Sequence, residues 1–250
     1  TAFLFDLVSL VTLGVILLAI ARRLFFPPDY IEARSRDAFI ILGMIAVLML
    51  AFFGLHAAEL AHTPAAAGRF MPISGALAAA LGGLSDAALS SLALASWWIH
   101  ALVLLAFLNY LPYSKHMHIL TAIPNCFLRR LGKANTLPRE EFTEGGTFGV
   151  ASVDAFTWKD LFDSYSCTEC GRCQHVCPAT NTGKPLNPRL VVHDIKVNLL
   201  KNGAAMQQGG SPAQPLIGTA GEGSVTEEAL WSCTSCGACM EVCPVFIEQM

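Results

Sequence analysis

The chain has 250 residues, 54% of them hydrophobic and only 14% charged, with a mean hydropathy of +0.51, well away from an ordinary soluble domain. Its net charge of −3 offers no basic footprint to a polyanion, so nucleic acid is not an expected partner. Residues 1–111 carry five basic and six acidic side chains and residues 112–250 carry eleven and thirteen, which reads as a membrane half followed by a water-soluble half.

Ala2 to Ala21 is apolar except for Asp6, Ser9 and Thr12, long enough to cross a bilayer as a helix. Arg22 and Arg23 close it, and Pro27-Pro28 leads into a short polar loop through Arg34 and Arg36. A second span is expected from Ala38 to about Leu60, ending near His62-Thr63-Pro64. The stretch from Ala65 to Ser91 is rich in small residues, with Gly75, Gly82 and Gly83, and reads as an extramembrane or re-entrant connection holding a short helix. Leu92 to Leu111 is the third span, and Pro112 is expected to kink a continuation toward His118. Four arginines fall between the first two spans, and Lys115, Arg129, Arg130 and Lys133 follow the third, whereas Arg69 stands alone between the second and third. The positive-inside rule therefore turns the first loop and the whole second half toward the cytoplasm. Both ends of the sequence look cut, so further polypeptide is expected on one or both sides.

The soluble half opens with a glycine-rich turn or hairpin at Glu144 to Val150. Thr157 is expected to cap a helix with Asp160 three residues on. Asn187-Pro188 reads as an N-cap with proline at the first helical position, and Asn202-Gly203 as that helix's end. A flexible stretch is expected from Gly203 to Gly223, followed by a helix capped by Ser224 and Glu227.

Between these helices lie two copies of one cysteine run: Cys167, Cys170, Cys173 and Cys177 followed by Pro178, then Cys233, Cys236, Cys239 and Cys243 followed by Pro244. Three close thiolates at this spacing hold three irons of a [4Fe-4S] cube, and the fourth, before proline, crosses to the other cube. The expected partition is Cys167, Cys170, Cys173 and Cys243 on one cluster, with Cys233, Cys236, Cys239 and Cys177 on the other. Structural zinc is the competing reading, but zinc takes four ligands and asks for neither the third step nor the repeated proline. Such clusters belong in a reducing compartment, which again favours the cytoplasm. Cys126 lies in an apolar stretch and reads as a packed small side chain. The long insert between the runs favours a helical two-cluster domain over a compact βαβ ferredoxin.

A histidine within an apolar span is a site hypothesis by default. His100 and His118 are eighteen residues apart, about five helical turns, so both are expected to project from one face of one helix. Imidazole pairs from neighbouring helices hold b-type haem iron, so His100 is expected at an outer-side haem and His118 at a cytoplasmic-side one. His56 is the mate considered for His100, placed roughly level with it. The competing readings are a surface position for His116 and His118 beside Lys115, and a loop position for His62. His175 is expected to pack beside a cube or bond a sulfur. Asn109, Tyr110, Tyr113, Lys115 and His116 form a polar–aromatic cluster that reads first as an interfacial belt and second as a quinone pocket, with Glu59 and Asp86 as outer-side proton exits.

Several segments together carry a family resemblance: LPYSKHMHILTAIPN from Leu111, FTWKDL from Phe156, CTECGRCQ from Cys167, NTGKPL from Asn181 and LWSCTSC from Leu230. They resemble the membrane-bound iron–sulfur oxidoreductases that carry a nitrate-reductase-gamma-like haem b domain. That group includes electron-transfer-flavoprotein:menaquinone oxidoreductases and the catalytic subunit of heterodisulfide reductase. The resemblance implies a mainly α fold: a transmembrane haem b bundle over residues 1–120, a connecting segment over 121–156, and an α-helical ferredoxin domain with two [4Fe-4S] clusters over 157–250. It also implies one or two b haems, a menaquinone acceptor, a cytoplasmic donor such as electron-transfer flavoprotein, and a multi-pass place in the inner membrane. Its last haem-binding helix carries two histidines, which His100 and His118 match. Two alternatives stay open: a quinol-linked disulfide reductase of the heterodisulfide type, which needs paired adjacent cysteines that this sequence lacks, and a wiring subunit of a larger respiratory assembly.

Overall fold

A computed structural model describes residues 1–27, 35–62, 70–133, 136, 141, 142, 144, 145, 148–219, 221 and 223–249. Pro28, Arg34, Thr63, Pro64, Arg69 and part of the glycine-rich turn at 144–150 lie outside these residues. Among those described, the chain is helical, with two isolated bridges (Ile217 to Val225, Gly221 to Ser224) in place of strands, as expected of a mainly α fold. It divides into two units, Thr1–Lys115 and His116–Met250.

In the first unit, α1 (Ala2–Phe25), α2 (Arg36–His62) and α4 (Asp86–Tyr110) are long and apolar enough to cross a membrane. The short helix α3 (Pro72–Leu81) fills the glycine-rich stretch and stops at Gly82. Ser85 caps α4 by accepting from the Ala88 amide. Large apolar side chains point outward, among them Leu18 at 71% and Phe25 at 72% exposure, while Asp6, Ser9, Ser74 and Ser96 are buried. This arrangement suits helices whose solvent is hydrocarbon. Helix α2 packs against all three neighbours. Where α2 meets α4, Gly54 faces Ser96 so closely that a Cβ would stand 2.6 Å from the hydroxyl, a small-residue crossing suited to a bilayer.

Two aspartates lock the bundle's ends. Asp6 of α1 accepts from the Ile73 amide (2.7 Å) and the Ser74 hydroxyl (2.6 Å), so a carboxylate from another helix caps α3. Asp37, in the first turn of α2, accepts from the Tyr110 hydroxyl and from the Lys115 amide at 2.7 Å. The third span does not continue to His118. After Tyr110 the chain forms a short 3-10 turn around Pro112, and Ser114 takes an extended conformation (φ −101, ψ 169) before the next helix begins at His118. A continuous helix would have left the Asp37 carboxylate without the Lys115 amide.

The second unit opens with α5 (His118–Phe127), followed by α6 (Trp158–Ser166), α7 (Arg172–Val176), α8 (Pro178–Asn181), α9 (Pro188–Gln207), α10 (Glu227–Trp231) and α11 (Ala238–Glu241). Thr157 and Asp160 form the expected capping box on α6, and Asn187 caps α9 ahead of Pro188. Three expectations are corrected here. Helix α9 runs through Asn202-Gly203 to Gln207, because Asn202 is fully buried and turned to other work. Its Nδ2 donates to the Gln214 carbonyl (2.7 Å), its Oδ1 accepts from the Ala213 amide (3.0 Å), and Asn198 one turn earlier donates to the Gly223 carbonyl (2.7 Å). The described part of the 203–223 stretch is thus pinned to α9 by two asparagines. Finally, Thr226 and not Ser224 caps α10, since the Ser224 hydroxyl is spent on the Pro215 carbonyl at 2.6 Å.

Candidate iron–sulfur sites and membrane histidines

The two cysteine runs fold into matching arms. In each, the residue two places after the first cysteine takes a positive φ (Glu169 at 51°, Ser235 at 50°), and so does the glycine after the second (Gly171 at 78°, Gly237 at 74°). Left-handed backbone at these positions turns successive amides inward, the geometry of an anion-binding nest. The Glu169 amide points at the Cys167 sulfur and the Ser235 amide at Cys233, the latter at 3.4 Å. The amides of Gln174 and Met240 likewise serve Cys173 and Cys239. The glycines then open α7 and α11, short helices that deliver the fourth cysteines.

Beyond those cysteines the arms differ. Cys177-Pro178 starts α8, whereas Cys243-Pro244 enters a turn with Phe246 at φ 56°, where the Ile247 amide reaches the Cys243 sulfur at 3.4 Å. The result is two small cavities, of about 10 and 30 Å³. The first is lined by Cys167, Cys170, Cys173 and Cys243, the second by Cys233, Cys236, Cys239 and Cys177. Each therefore takes three cysteines from one run and the fourth from the other. Among the described residues no group of three or more His, Cys, Asp or Glu side chains is placed to hold a single metal ion.

Their surroundings are unequal. Burial pushes the Cys167 thiol up to about 12, against the Glu169 amide, and also raises Cys173 and Cys243. In the second cavity burial raises Cys239 to about 11, but the Ala238 amide holds the exposed Cys236 below the usual thiol range. Arg189, in the first turn of α9, lines the first cavity, and its buried Nε has no hydrogen-bond partner among the described residues. A guanidinium N–H left unpaired beside four thiols fits a group that arrives with negative charge.

A buried polar network ties the first cavity to α5 and α6. Asn125 donates to Asp163 (2.7 Å) and to the Val245 carbonyl (2.9 Å), Lys159 pairs with Asp163 (2.9 Å), and the Glu248 amide donates to Asp163 (3.2 Å). Burial raises the Asp163 carboxyl, while Lys159 and Asn125 oppose the shift. Cys126 packs beside Val192, Val245 and Ile247, as its apolar neighbourhood suggested. His175 is exposed on its arm.

The membrane histidines sit differently from expectation. His100 and His118 lie on separate helices and in separate units, so the one-helix reading is withdrawn. His56 is not level with His100: the His100 Nδ1 lies 3.2 Å from the Leu48 carbonyl, eight residues from His56 along α2 and thus about 12 Å away by rise. A carbonyl only accepts, so Nδ1 of His100 carries the proton and Nε2 presents its lone pair, the arrangement common in metal-bound histidine. His56 faces Glu59 at 3.3 Å and its ring stacks edge-on with Phe52. His62 pairs with Asp86 (3.3 Å), so both acidic residues suggested as proton exits are engaged by histidines. In the polar–aromatic cluster, Asn109 bonds the Leu105 carbonyl and Tyr110 bonds Asp37. Sequence reasoning missed Arg189 and Asn125; a basic residue following Asn187-Pro188 carries no signal until the fold brings α9 beside the first arm.

Comparison with known proteins agrees with this geometry. Residues 166–247 match the 4Fe-4S dicluster domain. The chain is 31% identical to "EtfAB:quinone oxidoreductase" of Syntrophomonas wolfei across 96% of its own length and 37% of the relative's. It is 33% identical to "Probable iron-sulfur-binding oxidoreductase FadF" of Bacillus subtilis over 72% of its length and 30% of that protein's. It is 39% identical to a "Probable membrane-anchored ferredoxin" of Chromohalobacter salexigens over 41% of its length and 17% of that protein's. The chain thus spans about a third of the first two relatives. No solved structure matches it. Residues 166–247 are a 4Fe-4S dicluster domain, and the chain, with its membrane helices, is a relative of the membrane-bound iron–sulfur oxidoreductases.

Proposed function

We propose that the chain carries electrons from a cytoplasmic donor, through two [4Fe-4S] clusters and haem b, to menaquinone in the inner membrane. The observation that carries this reading is the crossed cysteine lining of two small cavities in a unit joined to membrane helices. Cys167, Cys170, Cys173 and Cys243 would hold one cluster, and Cys233, Cys236, Cys239 and Cys177 the other. When bound, such clusters pass single electrons without proton chemistry. The chain's own part is to supply thiolates, aim amides at them and bury Cys173 and Cys177. For haem iron, His100 is the leading ligand because its Nδ1 is already engaged by a carbonyl, and His118 is the second. His56, tied to Glu59 and off the level of His100, ranks last. An electron-transfer flavoprotein as donor and a quinone as acceptor are taken from the printed name of the Syntrophomonas relative.

A second reading is favoured by the name of the Chromohalobacter relative: an electron-wiring segment without a substrate of its own. Purified anaerobically in lipid, the chain should show iron and acid-labile sulfide for two clusters and, on redox titration, a reduced b-type α-band. Zinc in place of iron would overturn the proposal. Iron without a haem band would return His100 and His118 to structural roles, and loaded clusters that never reduce a menaquinone analogue would favour the wiring reading.

A further inference from the structure

Helix α5 has two faces of opposite destiny. Its inner face is part of the ferredoxin unit: Thr121 bonds the Tyr165 carbonyl (3.1 Å), Asn125 is fully buried, and Ala122 and Cys126 pack against Val245 and Ile247 beside Cys167 and Cys243. Its outer face is a bare apolar stripe, with Ile119, Leu120, Ile123 (79% exposed), Phe127 (87%) and, just past the helix, Leu131 (87%). Nothing in the ferredoxin fold needs that face. In water such a surface would be an aggregation liability, and it recurs at the period of one helix side.

We infer that α5 lies in the headgroup layer of the same bilayer that α1, α2 and α4 span, with this stripe sunk into lipid. Chain connection is the first argument. Residues 111–117 are all that separate α4 from α5, so His118 stands within about 29 Å of the end of a membrane span even at full stretch. Charge is the second. Arg129, Arg130 and Lys133 follow the stripe and Lys115 precedes it, as expected of a helix lying along an anionic surface. Arg129 is already laid over the Phe246 ring at 4.0 Å, and Arg130 is paired with Glu248 at 3.1 Å, so the basic end is fixed to the segment that follows Cys243. The consequence concerns the two cavities. The first, whose wall residues Val245 and Ile247 pack against Ala122 and Cys126 of α5, is then separated from lipid by roughly one helix diameter, about 10 Å. It becomes the membrane-proximal site. This inference needs the membrane spans and the fold of the second unit, and stands whether or not haem or quinone binds.

The test is photo-crosslinking of the whole, cluster-loaded chain in liposomes. A benzophenone amino acid is placed singly at Ile123, Phe127 or Leu131, where the exposed side chains leave the core untouched, with retained cluster absorption as the check on folding. The same group at Leu105, on the outer surface of α4, is the lipid-facing control, and at Leu200 of α9 the water-facing one. The expected result is lipid adducts at the three stripe positions and at Leu105, and none at Leu200. Adducts to a second copy of the chain at the stripe, or no lipid adduct there while Leu105 still gives one, would overturn the inference.

Discussion

In the first arm the amides of Glu169 and Gln174 serve Cys167 and Cys173, and in the second those of Ser235 and Met240 serve Cys233 and Cys239. The left-handed residues fall at the same two steps of each arm. What surrounds the arms is unlike. The first cavity lies against Val245, Ile247, Arg189 and the inner face of α5, with Cys173 buried. The second has Cys233 and Cys236 exposed, Trp231 standing 81% exposed just before them, and no cationic side chain among the described residues of its lining. A duplicated backbone fixes what can bind, and the walls decide how each site behaves.

The largest effect tests the crossing itself. Cys243→Ser should abolish the cluster held by Cys167, Cys170 and Cys173 while leaving the other, although Cys243 lies in the second run. Cys177→Ser should do the converse. Iron and sulfide analysis gives the halving, and electron paramagnetic resonance of each variant shows which signal survives. If each substitution instead removed the cluster of its own run, the crossed partition would be wrong.

Next is lability. With two cysteines open to water against one, Cys170, in the first, the second site should lose iron to a chelator faster, followed by the decay of cluster absorption in the two serine variants. Assembly should also respond differently to pH. Iron takes thiolates, so a site whose thiols are held up by burial releases more protons on loading and gains affinity as pH rises. Cys167, at about 12, leads this in the first site and Cys239, at about 11, in the second, where Cys236, held low by the Ala238 amide, takes one thiol out of the effect. By the same linkage the empty first site loses folding stability as pH climbs from the ordinary thiol range, near 9, through about 12, because only the unfolded chain ionises Cys167 there.

Arg189 offers a change confined to one wall. Its removal withdraws a cation from the first cavity, which favours the less negative, oxidised cluster. Arg189→Ala should lower that potential by about 60 mV, the equivalent of ~1.4 kcal/mol for one electron, and leave the second cluster unmoved. Equal shifts in both would mean that the charge acts through the whole unit.

How much of this was readable beforehand depends on the range of each signal. The spans, the cysteine runs, the Thr157 capping box and the Asn187-Pro188 start are local patterns, and the structure repeats them. The end of α9 was misread because Asn202-Gly203 looks like a stop, and only a loop eleven residues away turns Asn202 into a buried hub. The run from His100 to His118 was read as one helix because the partner that interrupts it, Asp37, is seventy-eight residues from Lys115. Arg189 acquires its role only when α9 packs beside an arm. Local chemistry was legible, and long-range partners were not.

The smallest effect asks whether the two arms are the same backbone. Glu169 and Ser235 sit at φ 51° and 50°, a left-handed conformation that costs a side-chain-bearing residue about 1 kcal/mol. Glycine would relieve that strain but adds entropy to the unfolded chain, about 0.5–1 kcal/mol, so Glu169→Gly and Ser235→Gly should each move stability by only a few tenths of a kcal/mol. The opposite change, Gly171→Ala or Gly237→Ala at φ 78° and 74°, forces a Cβ into the left-handed region and should cost about 1 kcal/mol in each arm. Denaturant unfolding of the cluster-loaded protein measures all four. Matched values across the arms would locate every difference between the sites in their walls, while a mismatch at Gly171 and Gly237 would mean that the buried arm has less room to give than the exposed one.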